Sequence, residues 1–525
     1  MSMKKTSEIS YVPGTTEKKE LMHMLERRTI LLCLWLSLFL LGGCAAVPIS
    51  NSNSTTQDHL IQSLVRVNVT RQNYNFHQPW EQGSPSSHTG IGVVMEGPRI
   101  LLTSQMMANH RYVELEKLVT GEKGRAEVEV IDYEANLALV RPLDPDFLKD
   151  MRPLDFGLDA VEGDLLTVLQ VKRNGNIVPS EGPITSIELL RYPSGSAFLA
   201  YRLNSSLQFR LNNFTLPVLK NGRLAGLLMG YDAKAQSVDV VAAPIIEHFL
   251  KEASDGDYQG FPNLGLKVVS MDDPQLRRYV GIPEDLDGLY VQGIQRGLGA
   301  EKAGLRQGDI IIEIAGFTPD RYGDYEHPVY GKVSVSYLTR CEFYAGDRVP
   351  LKIFREGEVL EKQIVPEYIP PEDDPVPPFL ADSPPLYFIL GGLVLQELSL
   401  PYLREYGSDW SLKAPISLVH YQRNQYTLDL GDREKIVLLS RVLQTSRSIG
   451  YESLRDLVII RINNQPIRRL GDVPEALKFP INGFHKIEFE DPPRVIYVDP
   501  KELAGINQEI RQRYGLPALH NLDAH

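Results

Sequence analysis

Ala300-Glu301-Lys302-Ala303-Gly304-Leu305-Arg306-Gln307-Gly308-Asp309-Ile310-Ile311 is the most specific stretch of this chain. Gly304 and Gly308 supply turns that need unusual backbone angles. Ala303 and Leu305, on either side of Gly304, are apolar and pack, and Ile310 opens a β-branched run that reads as a core strand. Two glycine turns and a core strand within twelve residues make a structural signature, and a compact unit is expected around it over residues 257–367.

Outward from this unit the punctuation changes. Residues 90–241 carry short Val-, Ile- and Leu-rich runs separated by Gly, Pro, Asn and Asp, including Ile91–Met95, Ile100–Thr103, Ala126–Ile131, Leu137–Val140, Leu165–Val171 and Leu224–Met229. Many short strands with turn signals predict an all-β barrel or sandwich over 86–256, closed by helical Pro244–Glu252. On the other side, the acidic stretch 368–385 contains Pro370-Pro371 and Pro377-Pro378. It predicts a stiff, exposed linker, because proline lacks a donor and favours extended backbone. A third unit is expected over 386–500, then a helix-forming tail over 501–525.

The N-terminus reads as a targeting segment. Arg27-Arg28 precede the apolar run Thr29–Leu41, which has the length of a signal h-region and is too short to span a bilayer comfortably. The polar 1–22 stretch makes an unusually long n-region, so translation starting at Met22 or Met24 stays open. Residues 44–85 are polar and read as a flexible tether.

Composition excludes some functions. The net charge of -12 argues against nucleic acid, since phosphate binding needs clustered Lys and Arg. No Cys/His cluster has zinc-site spacing, and neither metal nor cofactor is expected. Of three cysteines, Cys33 lies in the h-region, and with Cys44 read as a lipidation site Cys341 is left without an intrachain partner.

Several motifs together resemble the HtrA/Deg trypsin-type serine proteases. Gly90-Ile91-Gly92-Val93-Val94, Arg99–Met106, Asn136-Leu137-Ala138-Leu139, and Pro217 with Asn221–Gly226 follow that family's order and spacing. The 300–311 stretch resembles its PDZ motif, with Leu264-Gly265-Leu266 as the carboxylate-binding loop for peptide C-termini. Tyr387–Leu403, Ile449–Glu452 and Val458–Leu470 resemble the second PDZ-like module of plant and fungal members, associated there with assembly. The resemblance runs from about Gly90 to Leu516. It implies a mainly β fold, a trypsin-like double β-barrel followed by two PDZ-like α+β domains, and a homo-oligomer.

Leu41-Gly42-Gly43-Cys44 resembles a bacterial lipoprotein box. It implies cleavage of 1–43, acylation of Cys44 and a lipid-anchored, periplasm-facing envelope protein, with the outer membrane slightly favoured because Ala45 is not Asp. An ordinary signal peptide or an uncleaved anchor is the alternative.

The resemblance also exposes a departure. The general base would fall at Met106, its orienting carboxylate at Asn136 and the nucleophile at Phe214, none of which can do that chemistry. Asn212, Thr215 and Leu216 replace the glycines of the oxyanion loop, and a β-branched Thr resists positive φ. Met106 and Phe214 instead fill the former cleft, each contributing about 1–3 kcal/mol by burial. His110, Asp132, Ser205 and Ser206 are candidates for a relocated set. They read as surface residues, because a one-turn shift carries His110 beyond the ~3 Å reach of a nucleophile–base bond. The expectation is a pseudoprotease that binds peptide tails or unfolded proteins or regulates an active relative. An active endopeptidase and a structural envelope protein are the other readings. The insertion Phe317–Gly331 is expected partly to cover the peptide groove.

Overall fold

The computed structural model describes residues 60–207, 215–254, 256–445 and 448–522. Cys44 and Phe214 therefore lie outside the described residues.

Two closed six-stranded barrels come first. β1 (Leu64–Arg71), β2 (Ser86–Met95), β3 (Arg99–Leu102), β4 (His110–Lys117), β5 (Lys123–Asp132) and β6 (Leu137–Pro142) close in the order β1-β2-β3-β6-β5-β4. β7 (Leu165–Val171), β8 (Ile177–Arg191), β9 (Ala197–Asn204), β10 (Pro217–Lys220), β11 (Arg223–Asp232) and β12 (Ser237–Ala242) close in the order β10-β11-β12-β9-β8-β7. The architecture is that of a trypsin-like double barrel.

The tether expected over 44–85 is corrected for residues 60–85, while 44–59 lie outside the described residues. β1 pairs with both β2 and β4, and Val65, Val67 and Val69 point inward with almost no exposure. Their period-2 alternation is the signal of a half-buried strand. The loop after β1 then crosses to the third unit. Phe76 N–H donates to Glu405 Oε1 (3.1 Å), Gln396 Nε2 donates to the Phe76 carbonyl (3.0 Å), and His77 meets the rings of Tyr402 and Tyr406.

The helix Ala243–Glu252 leads into the middle unit. There β13 (Leu266–Val269), β14 (Leu289–Ile294) and β15 (Ile310–Ile314) join β18 (Val349–Arg355) and β19 (Glu358–Ile364) in the order β13-β14-β15-β18-β19, while β16 (Asp324–His327) and β17 (Gly331–Ser334) form a separate hairpin. His248 links the barrel to this unit. Its ring stacks between Phe261 and Tyr344 at 4.4 and 4.3 Å, and its nitrogens face the carbonyls of Cys341 and Gly260.

The insertion 317–331 does not cover a groove. Its hairpin turns the other way, β17 lies against β8, and Tyr325 and Val333 join the apolar core shared with the barrel. Burying Tyr325 and Val333 there favours this direction for the hairpin.

In the third unit β20 (Tyr387–Leu390), β21 (Leu393–Glu397), β22 (Val437–Val442), β23 (Leu457–Ile462), β24 (Gln465–Pro466), β25 (His485–Phe489), β26 (Val495–Val498) and β27 (His520–Asn521) form one sheet, with β24 off its edge on β23. The tail belongs to this sheet. Helix Leu503–Tyr514 buries Ile506 and Ile510, and β27 pairs with β20.

The stretch 368–385 is not an exposed linker either. Val376 is buried, its N–H donates to Gln425 Oε1 (2.7 Å), and Lys435 Nζ donates to the Asp374 carbonyl (2.6 Å). At the other end Asp382 accepts from His110 (3.1 Å) and from the Tyr133 hydroxyl, and Phe379 packs on Tyr133. Proline fixes the backbone, but the residues between the prolines are what the two neighbouring units grip.

Candidate functional site

The cleft between the barrels can be built from β3 outward. After β3 the chain makes a single helical turn, Ser104–Met107, held by Asn136. Asn136 sits at φ 56°, a left-handed position that Asn tolerates better than most residues. Its Oδ1 accepts the Gln105 N–H (3.0 Å) and the Ser104 hydroxyl (3.3 Å), while its Nδ2 is buried without a hydrogen-bond partner. At the position where the resemblance places an orienting carboxylate, a neutral amide caps a turn.

That turn presents Met106, which is 1 % exposed. Thr215 closes the space beside it and is fully buried. Its Oγ1 accepts the Thr103 N–H (3.2 Å), and its carbonyl accepts the Ile91 N–H (3.4 Å). Gly90 leaves the room this requires. A Cβ there would lie 2.3 Å from Thr215 Cγ2 and 3.3 Å from the Met106 sulfur. A thioether, a threonine methyl and a bare glycine Cα thus pack together beside this turn. None of the three accepts a proton near neutral pH.

The alternative set is not brought together. His110 donates from Nδ1 towards the Met107 carbonyl and Asp382, and the hydrogen bond to Asp382 holds its pKa above the usual histidine value. Asp132 is buried, accepting from Tyr258 (2.5 Å) and the Ala135 N–H (2.7 Å). The Ser205 hydroxyl donates to the Glu181 carbonyl (3.2 Å), and Ser206 Oγ accepts from Gln236 (3.1 Å). Asp132 and Ser205 are buried rather than on the surface, because each satisfies a local turn or strand end.

Asp132 carries a pH prediction. Burial and the nearby Glu134 carboxylate push it up to about 6. A carboxyl raised in the fold binds its proton more tightly there than in the unfolded chain. Through this group stability therefore falls as pH rises from about 4 to 6 and stays reduced above. In Asp132→Asn the Oδ1 keeps the Ala135 N–H and the Nδ2 can donate to Tyr258. This variant is expected to gain about 1–3 kcal/mol at pH 7.5, with the gain shrinking below pH ~5. Melting temperatures at the two pH values check it, and an unchanged melting temperature at pH 7.5 contradicts it.

A second concavity lies in the middle unit. Leu264 is buried, and its carbonyl accepts the Ala300 N–H (3.0 Å), so the 300–311 stretch holds this loop. Gly265 turns at φ 73°, where a Cβ would sit 2.6 Å from that of Leu298. Its N–H already donates to Asn263 Oδ1 (2.8 Å), so a carboxylate arriving at the loop must displace that side chain or use neighbouring donors. Leu266 opens β13.

Between β13 and helix Val335–Cys341 runs a groove of about 370 Å³, lined by apolar Leu264, Leu266, Val268 and Val335. Its opposite wall comes from the third unit, through Arg423, Asn424 and Thr427. Thr427 Cγ2 stands 2.7 Å from where a Cβ of Gly293 would be, and Arg296 pairs with Asp429 at 3.3 Å. This wall had no sequence signal, because it depends on how two units dock.

Known proteins are similar to this chain along most of its length. The family described as PDZ domain matches residues 376–523, a span that begins within the Pro-rich stretch and takes in the C-terminal strand. Protease Do-like 2, chloroplastic, of Arabidopsis thaliana is 25% identical over 474 residues, covering 88% of this chain and 75% of that protein. Protease Do-like 4, mitochondrial, of the same plant is 23% identical over 479 residues, covering 90% of this chain and 87% of that one. Among solved structures, the HtrA-type protease AlgW with decapeptide is similar at TM-score 0.47 and 14% identity, covering 61% of this chain and 99% of that chain. The chain is a homologue of the HtrA/Deg trypsin-like serine proteases and carries a PDZ domain.

Proposed function

We propose that this protein is a pseudoprotease, whose double barrel is a scaffold and whose middle unit works as a PDZ-type binder of peptide tails and unfolded protein. The packing of Met106 and Thr215 against Gly90 carries the reading, since it puts apolar atoms and no base at the cleft position. The groove beside Leu264-Gly265-Leu266 supports the binding half. It offers apolar side-chain sites next to the end of a strand, the arrangement β-augmentation uses.

An endopeptidase is the second reading, favoured by the protease descriptions of its relatives. The two separate on one experiment. Purified protein is incubated with a chemically denatured client, following light scattering and client mass together. The expected result is suppressed aggregation with an intact client. Fragmented client would establish the endopeptidase, and undiminished aggregation would remove the binder.

A further inference from the structure

The groove does not end at the middle unit. It shares Asn263, Lys267, Gln295, Arg340 and Arg423 with a larger cavity of about 930 Å³ where the second barrel, middle unit and third unit meet. The charge of that cavity is predominantly positive. Arg191 on β8, Lys267 on β13, and Arg404 and Arg423 of the third unit all line it. None of the four makes an ion pair among the described residues. Arg191 and Arg404 reach only the carbonyls of Gly195 (3.3 Å) and Pro193 (3.4 Å).

The acids on the same wall are already engaged. Glu134 faces Arg340 at 3.3 Å and accepts the Ser196 hydroxyl at 2.8 Å, and Asp374 accepts the Tyr426 hydroxyl at 2.5 Å. Arg340 also keeps a buried Nε with no hydrogen-bond partner. Four uncompensated cations in one concavity run against the net charge of -12 of the whole chain. A concave wall of one sign focuses its field and favours a ligand of the opposite sign.

We propose that the groove and this cavity together select an acidic peptide, with an apolar C-terminal residue beside Leu264 and Leu266 and carboxylate side chains facing Arg191, Lys267, Arg404 and Arg423. The proposal rests on the peptide-binding reading and adds its specificity. Charge recognition of this kind weakens with salt, because at about 0.5 M the screening length falls to a few ångströms.

The test uses fluorescent ten-residue peptides that end in Val and carry Glu, Gln or Lys at the preceding positions, titrated with the full-length protein. The Glu peptide is expected to bind about tenfold tighter than the Gln peptide at low salt, the ratio falling towards one at about 0.5 M NaCl. In the Arg191→Gln/Arg404→Gln variant, both positions being exposed, the same ratio is expected to fall to about threefold or less. Equal binding of Glu and Gln peptides, or preference for Lys, overturns the acidic specificity while leaving peptide binding in place. Failure of all three peptides to bind removes the underlying reading instead.

Discussion

Gly90→Ala is expected to destabilise the first barrel by about 1–3 kcal/mol, and Thr215→Ser in the same molecule to return most of that loss. The new Cβ would meet Thr215 Cγ2 at 2.3 Å, well inside any real carbon–carbon contact. Met106 is flexible and can yield. Thr215 cannot, because Thr103 N–H holds its hydroxyl and Ile91 N–H holds its carbonyl. Serine keeps the oxygen and removes only the methyl, so it relieves the clash without losing the hydrogen bond. Denaturant titration of the two single variants and the double measures the coupling. A double variant as unstable as the sum of the singles would mean that Thr215 does not fill this space.

The second large effect is expected at Asp309. Its side chain is 1 % exposed and grips Arg355 through two bonds, 2.6 Å to Nε and 2.7 Å to a terminal nitrogen, while also accepting the Arg306 N–H at 2.7 Å. That hydrogen-bonded carboxylate holds the Arg355 pKa above its usual value. Asp309→Ala leaves a half-buried guanidinium with only the Gly304 carbonyl at 3.0 Å and removes the acceptor of the Arg306 N–H. Removing one partner of such a pair costs about 3–5 kcal/mol, chiefly through the charge left behind. The carbonyl of Asp309 also receives the Val291 N–H, so β14 and with it the groove should loosen. Asp309→Ala is therefore expected to lose peptide binding and to show an early unfolding transition, read by calorimetry and peptide titration together. A melting curve within ~2 °C of the parent protein would contradict this account.

The local signals in the sequence were enough for the barrels and for the 300–311 stretch, because alternating Val and Ile and paired glycines constrain the backbone directly. Gly308-Asp309 was legible as a turn, but the grip of Asp309 on Arg355, 46 residues away, was not. β1 was hidden by the polar residues around it. Its Val65-Arg66-Val67-Asn68-Val69 alternation is a clear strand signal once the polar flanks are set aside.

The stretch 368–385 misled for a different reason. Proline content predicts backbone stiffness, but burial is decided by what docks on it, and here Gln425, Lys435, His110 and Tyr133 do. At the candidate site, the resemblance identified Met106 and Asn136 as residues without protease chemistry. The expected burial of Met106 followed from the same reading, whereas the hold of Asn136 on the Ser104–Met107 turn emerged only from packing. The wall formed by Arg423–Thr427 and the cationic cavity behind it depend on three units meeting, which no short motif encodes.

In the proposed pseudoprotease, nothing in this cleft activates a serine. Fluorophosphonates react covalently with activated serines, so intact-mass analysis of the purified protein after such treatment addresses the claim directly. The account predicts an unchanged mass, even in the presence of a bound peptide. Stoichiometric addition of one phosphonate, mapped to a single serine, would contradict it.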